Sequence, residues 1–232
     1  MNLGKNAGAW FVVTVALFLP STAWLRCQEK LSRVPLIEAL RDGDLGEAHR
    51  ILRSGARLDV WDNYGDTPLF QAIRSGYTDF AEEILSAGAD PKFAGAGGST
   101  SLMMAAWYRD LRIAKELLDR GVPVNAADVK GETALMNASQ TCLDGKMVEV
   151  LLKAGANPNA TTKDGMTALI SAAHNGNVLA AEKLLKAGAD PSVKDKYGET
   201  AEDEACGRGE KGHAQVCVLL LEASKKQDLD KH

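Results

Sequence analysis

The sequence predicts an all-α solenoid of about six helix–turn–helix units joined by short turns and hairpin-like tips. Three observations predict it. Threonines two residues after a glycine recur at Thr67, Thr100, Thr133, Thr167 and Thr200, in steps of 33, 33, 34 and 33 residues. Each opens a similar phrase: YGDTPLFQAI from Tyr64, GGSTSLMMAA from Gly97, KGETALMNAS from Lys130, DGMTALISAA from Asp164 and YGETAEDEAC from Tyr197. A second phrase follows each of the first four: ILSAGADP, LLDRGVPV, LLKAGANP and LLKAGADP. Several residue types recurring together at one period are the signature of stacked structural repeats.

The units span residues 34–61, 62–94, 95–127, 128–161, 162–194 and 195–224. The first is degenerate, but Leu36 lies 33 residues before Leu69 and ILRSGARL supplies its second half. Within a unit the first helix opens on a capping hydroxyl, as at Thr167. Leu169, Ala172 and Ala173 then form an apolar face at i, i+3 and i+4. Asn175 and Gly176 end that helix. The second helix turns Leu184 and Leu185 inward, stops at Gly188 and is barred from continuing by Pro191. No helical pair buries its own apolar face, so each unit depends on its neighbours. In the last unit Glu202 and Asp203 stand where an inner unit has Leu169 and Ile170, as a water-facing cap requires. Arg41, Asp42, Glu47 and Arg50 give the first unit the same character, and residues 225–232 read as a frayed charged tail.

The combination G-x-T-[PA]-L, then Ala-Ala, then LL-x-x-GA-[DN]-P at this period resembles the ankyrin-repeat family. The resemblance covers residues 34–224 and implies a turn and two antiparallel helices per unit. It also implies a protein-binding scaffold that performs no catalysis. Three places depart from the pattern. The second full repeat carries AGAGG before its threonine and lacks the usual turn-opening Asp, which predicts a looser loop. The third has one extra residue in ASQTCLDGK, and the last has an insertion, CGRGEKGH, between its helices.

The N-terminus differs from all that follows. Lys5 precedes the uncharged run Ala9–Leu19, and Pro20, Ser21, Thr22 and Ala23 come next. Basic, apolar and small-residue regions in that order read as a secretory signal over residues 1–23, cleaved after Ala23, with 24–33 as a lead-in. An uncleaved anchor in the inner membrane is the alternative, although the run falls short of the roughly 20 residues a span needs. Export paired with this repeat family points to a bacterial periplasm. Cleavage leaves 26 basic against 31 acidic residues. That balance argues against nucleic-acid binding, whose general affinity comes from clustered Lys and Arg.

Chemistry is sparse. The four histidines, His49, His174, His213 and His232, are scattered. No phosphate-cradling glycine loop, metal-spaced cysteine pair or nucleophile elbow is present in the sequence. No catalytic residue, metal, cofactor or small-molecule substrate is therefore expected. Of Cys27, Cys142, Cys206 and Cys217, the last two fall on facing helices of one repeat. Two outcomes stay open there: a disulfide stapling the terminal cap, or two buried free thiols. A thiol-redox protein built on that pair is a competing function class.

In the ankyrin family partners meet the turn tips and the ends of the inner helices. The frame places Trp61 and Tyr64 at the tips and Arg74, Trp107, Tyr108, Gln140 and His174 at the helix ends, with Arg109 following. Trp107, Tyr108 and Arg109 replace the polar or Gly residues of sister repeats, and aromatics with Arg dominate protein interfaces. For Trp61, packing and binding are equally good readings. The expected partner is a periplasmic or envelope protein, which the chain assembles or, if it is a toxin, neutralises. A membrane-tethered scaffold follows if the signal is retained.

Overall fold

The computed structural model describes residues 34–141, 144–207 and 211–229, so the signal reading, Cys27 and Cys142 lie outside the described residues. Twelve α-helices pair in chain order among the described residues. They are α1 (Pro35–Asp42) with α2 (Leu45–Arg53), α3 (Pro68–Arg74) with α4 (Thr78–Ser86), and α5 (Ser101–Trp107) with α6 (Leu111–Asp119). Then come α7 (Ala134–Thr141) with α8 (Lys146–Lys153), α9 (Ala168–His174) with α10 (Val178–Lys186), and α11 (Ala201–Cys206) with α12 (Lys211–Leu229). The only β pairing among the described residues is an isolated antiparallel bridge between Ala127 and Thr133, inside one turn.

The recurring threonine starts the inner helices as the sequence implies. Its hydroxyl accepts the amide three residues on: Phe70 at 3.0 Å from Thr67, Met103 at 3.2 Å from Thr100 and Ile170 at 3.1 Å from Thr167. Inner helices stack on inner helices and outer on outer. The close approach is made by a column of alanines at one frame position, Ala72, Ala105, Ala138, Ala172 and Ala205, all buried. Leu69, Leu102, Leu135 and Leu169 fill the next column, and Ile84, Leu117, Leu151 and Leu184 close the core from the outer helices. Leu185 is only half-buried, so the inward pair expected there is one leucine deep. Buried polar groups tie neighbours together: Asn177 donates to the Ser139 carbonyl at 3.0 Å and Asn137 to that of Met103 at 3.2 Å.

Two further expectations change. The glycine-rich turn of the second full repeat is a 3-10 turn over Ala96–Gly98, held by the Ala96 amide donating to the Gly65 carbonyl at 3.2 Å. Gly95 stands where Asp62 and Asp128 stand in other units. A Cβ on it would lie 2.5 Å from the Phe70 ring, so the larger Phe70 fills the space the missing carboxylate leaves. At the other end, α12 runs to Leu229, and residues 225–229 are helical rather than a frayed tail. Val216 and Leu220, both buried and one turn apart, anchor that helix, and neither Gly nor Pro follows to stop it. In the last unit Glu202 is half-buried and Asp203 exposed, as a cap facing water requires.

Candidate partner-binding face

The turn tips are built alike. The Asp62 carboxylate accepts the amides of Tyr64 at 2.9 Å and Asp66 at 3.1 Å. Asp128 does the same for Lys130 and Glu132, Asp195 for Tyr197 and Glu199, and the Thr162 hydroxyl for Asp164 and Met166. Each tip is also bonded to the next through its backbone. Val129 donates to Gly97 at 2.9 Å, Lys163 to Lys130 at 2.9 Å and Lys196 to Asp164 at 2.8 Å. With main-chain groups so engaged, the side chains of Tyr64, Val129 and Tyr197 project outward and are the most exposed large apolar residues of the tips. Lys196 spans two tips, its ammonium 3.0 Å from Asp164 and 5.1 Å from the centre of the Tyr197 ring.

Facing the tips, the inner helices present one residue each: Arg41, Arg74, Trp107, Gln140 and His174, spaced by the repeat. The first two are committed to carboxylates. Arg41 meets Asp62 at 2.6 Å, and Arg74 grips Asp66 at 2.5 and 2.7 Å. Burial opposes ionisation of Asp62. The Arg41 hydrogen bond, with the amides of Tyr64 and Asp66, outweighs it and holds the carboxyl below its ordinary value. Arg41 also lies 5.1 Å from the centre of the Tyr64 ring, which fixes that exposed aromatic over a cation. Trp107 is 44% exposed. Gln140, half-buried, lines an open groove of about 440 Å³ between the tips and α7, with Val129, Lys130, Met136, Lys163 and Met166. His174 sits 3.1 Å from Glu204 of the last repeat.

A family model described as ankyrin repeats in three copies matches residues 12–95, 93–162 and 142–231. The chain belongs to the ankyrin-repeat family. Its repeats make it a protein–protein interaction module. No curated protein matches the chain.

On this ankyrin array, Tyr64, Arg74, Trp107, Gln140 and His174 share the face between tips and inner helices. Trp61 stacks one side on Phe93, ring centres 5.6 Å apart, and remains 55% exposed, so it packs and presents surface together. Tyr108 and Arg109 part company with Trp107: they line a different groove, with Tyr77 and Leu111, at the loops between helices. Cys206 and Cys217 are joined as a disulfide with Cα atoms 5.0 Å apart, connecting α11 to α12. Cys206 lies exposed, whereas the equivalent Ala173, covered by the last repeat, is buried. The sequence marks Arg41 only as part of the polar first cap and does not single out Asp66. Extending the frame one repeat before Arg74 finds Arg41, but nothing in the sequence announces that Asp66 would clamp Arg74. Among the described residues, no group of three His, Cys, Asp or Glu is arranged to hold a metal ion, and no helix is long and apolar enough to cross a membrane.

Proposed function

We propose that this ankyrin-repeat protein is exported and holds a periplasmic or envelope protein on the face between its turn tips and inner helices, without catalysing a reaction. The observation carrying this reading is Trp107. A large indole, 44% exposed, sits mid-row between Arg74 and Gln140, where every other unit places a polar side chain or glycine. Trp is among the side chains that dominate protein interfaces. Around it the tips offer Tyr64, Val129 and Tyr197 on a hydrogen-bonded frame. The two arginines of the row are neutralised by Asp62 and Asp66, so the face is amphipathic rather than a strong cation field. Such a surface suits a folded protein better than a polyanion.

The test is affinity capture from periplasmic extract with the wild-type chain beside Trp107→Ala. The variant keeps its far-ultraviolet circular dichroism and loses the protein that the wild type retains. A variant that unfolds, or that retains the same protein undiminished, removes Trp107 from the interface. Sequencing the N-terminus of the protein recovered from cells addresses export. A start at Trp24 agrees with it, and a retained Met1 replaces it with a membrane-tethered scaffold.

A further inference from the structure

We propose that the groove along the helix-to-helix loops of the first three repeats is a second recognition site. It takes a short acidic segment of a partner protein, in which a carboxylate stands beside an aliphatic or aromatic side chain. Arg109 binds the carboxylate. The groove is open, about 860 Å³, and runs from Leu45 on α2 across the start of α4 to Arg112 on α6.

Two of its residues depart from most of their counterparts in the array, Tyr77 by lacking a cap and Arg109 by a strained backbone. At the position that opens three of the outer helices, Asp44, Asp110 and Asn177 accept the amides of Glu47, Ile113 and Ala180 at 2.9, 3.0 and 3.2 Å, while Gly145 opens α8 without a side-chain bond. Tyr77 holds that position before α4 and makes no such bond, so a helix cap is forfeited. One residue earlier in the frame, Gly43, Gly76 and Gly176 take left-handed backbone at φ 77, 73 and 60°. Arg109 takes it too, at φ 62°, the only non-glycine among the described residues with positive φ. That conformation disfavours any side chain. Uncapped and strained positions concentrate where a surface serves binding rather than stability.

The charges in the groove say what it lacks. Asp79 pairs with Arg112 at 2.7 Å and Glu83 with His49 at 3.2 Å. Asp110 accepts the Thr78 hydroxyl at 2.7 Å and the Ile113 amide at 3.0 Å. Arg112 is shared between Asp79 and Glu82. Of the two arginines in the lining, Arg109 is the one left over: it is exposed and has no ion pair among the described residues. A guanidinium in that state matches an incoming carboxylate, which it can grip with two parallel N–H donors. Tyr77, half-buried, and Tyr108, 39% exposed, line the same groove. Leu45, Ile73 and Leu111 supply the apolar floor for the neighbouring side chain.

Trp107 is not in the lining of this groove, so the inference stands apart from the reading of the turn-tip face, and each fails without the other. Random heptapeptides displayed on phage are selected on the immobilised full chain, and the enriched peptides are synthesised and titrated by fluorescence polarisation. Enriched peptides carry Asp or Glu beside Leu, Phe or a similar residue. Arg109→Gly, which installs the sister glycine, weakens their binding about tenfold while raising the melting temperature by roughly 2–4 °C. Tyr77→Asn, which removes a ring from the groove, weakens peptide binding as well, and Trp107→Ala leaves peptide binding unchanged. No enrichment, no acidic preference, undiminished binding to Arg109→Gly, a melting temperature it fails to raise, or loss of binding only in Trp107→Ala would each overturn the inference.

Discussion

Alanine at Gly165 and alanine at Gly188 separate the cost of a strained backbone from the cost of prising two turns apart. Both glycines are left-handed, at φ 78 and 86°. Alanine in that conformation costs about 1–2 kcal/mol wherever it stands. At Gly188 an added Cβ meets nothing within 4 Å, so strain is the whole effect. At Gly165 the same atom lies 2.9 Å from the Asp195 Cα and 2.9 Å from the Lys194 carbonyl oxygen, both backbone atoms of the next turn. Neither can rotate away. Relief requires the turns to separate, which adds an overpacking cost of about 1–3 kcal/mol. It also endangers the 2.8 Å bond from the Lys196 amide to the Asp164 carbonyl, a further loss of about 1 kcal/mol. Gly188→Ala is therefore expected to lose about 1–2 kcal/mol and Gly165→Ala about 3–6 kcal/mol. Urea unfolding followed by circular dichroism at constant slope measures both. Losses equal to within about 0.5 kcal/mol would refute the claim that the turns touch backbone to backbone at this point.

Breaking the disulfide by Cys206→Ser with Cys217→Ser frees a loop of sequence separation 11. The terminal repeat then loses about 3 kcal/mol, visible as a lower first urea transition, and an unmoved transition would mean the staple adds no stability. Asn177→Ala removes the cap of α10 and leaves the Ser139 carbonyl unmet in the interior. The expected loss is about 2–4 kcal/mol, and less than about 1 kcal/mol would show that the link between repeats contributes nothing. Lys153 and Lys183 hydrogen-bond Glu149 and hold its carboxyl down at about 2, from an ordinary 4.5. Because the folded value is the lower one, the contribution is complete above pH 4.5 and disappears as pH falls through 2. Carboxyl carbon NMR of the wild type gives a midpoint near 2, which rises in Lys183→Met; an unshifted wild-type midpoint contradicts the bridge.

The fold was readable in the sequence because a repeat states its rules several times. One Thr followed by an apolar face is a weak sign of a helix start, but the same arrangement at Thr67, Thr100 and Thr167 leaves little else for it to mean, and each hydroxyl does cap its helix. What escaped were interactions that occur once. Phe70 closing the gap over Gly95 involves two units departing from pattern together, and period arithmetic treats each departure as noise. Arg74 and Asp66 are eight residues apart, a spacing whose meaning depends on the turn being folded back onto the helix. Trp107 and Tyr108 are neighbours in the chain, yet they serve different surfaces, because consecutive residues leaving a helix end diverge in direction. Lys225–Leu229 looked like a tail since charge dominates it, whereas the anchoring Val216 and Leu220 lie more than one turn upstream.

The amide-to-carbonyl rungs between Val129 and Gly97, Lys163 and Lys130, and Lys196 and Asp164 fix the pitch at which neighbouring side chains are displayed, like teeth cut on one comb. A visitor to that edge need not freeze each finger in turn, since the entropy of lining them up was surrendered when the chain folded. Affinity can then accrue from many modest touches, and moving a single rung would misalign the teeth on both sides of it.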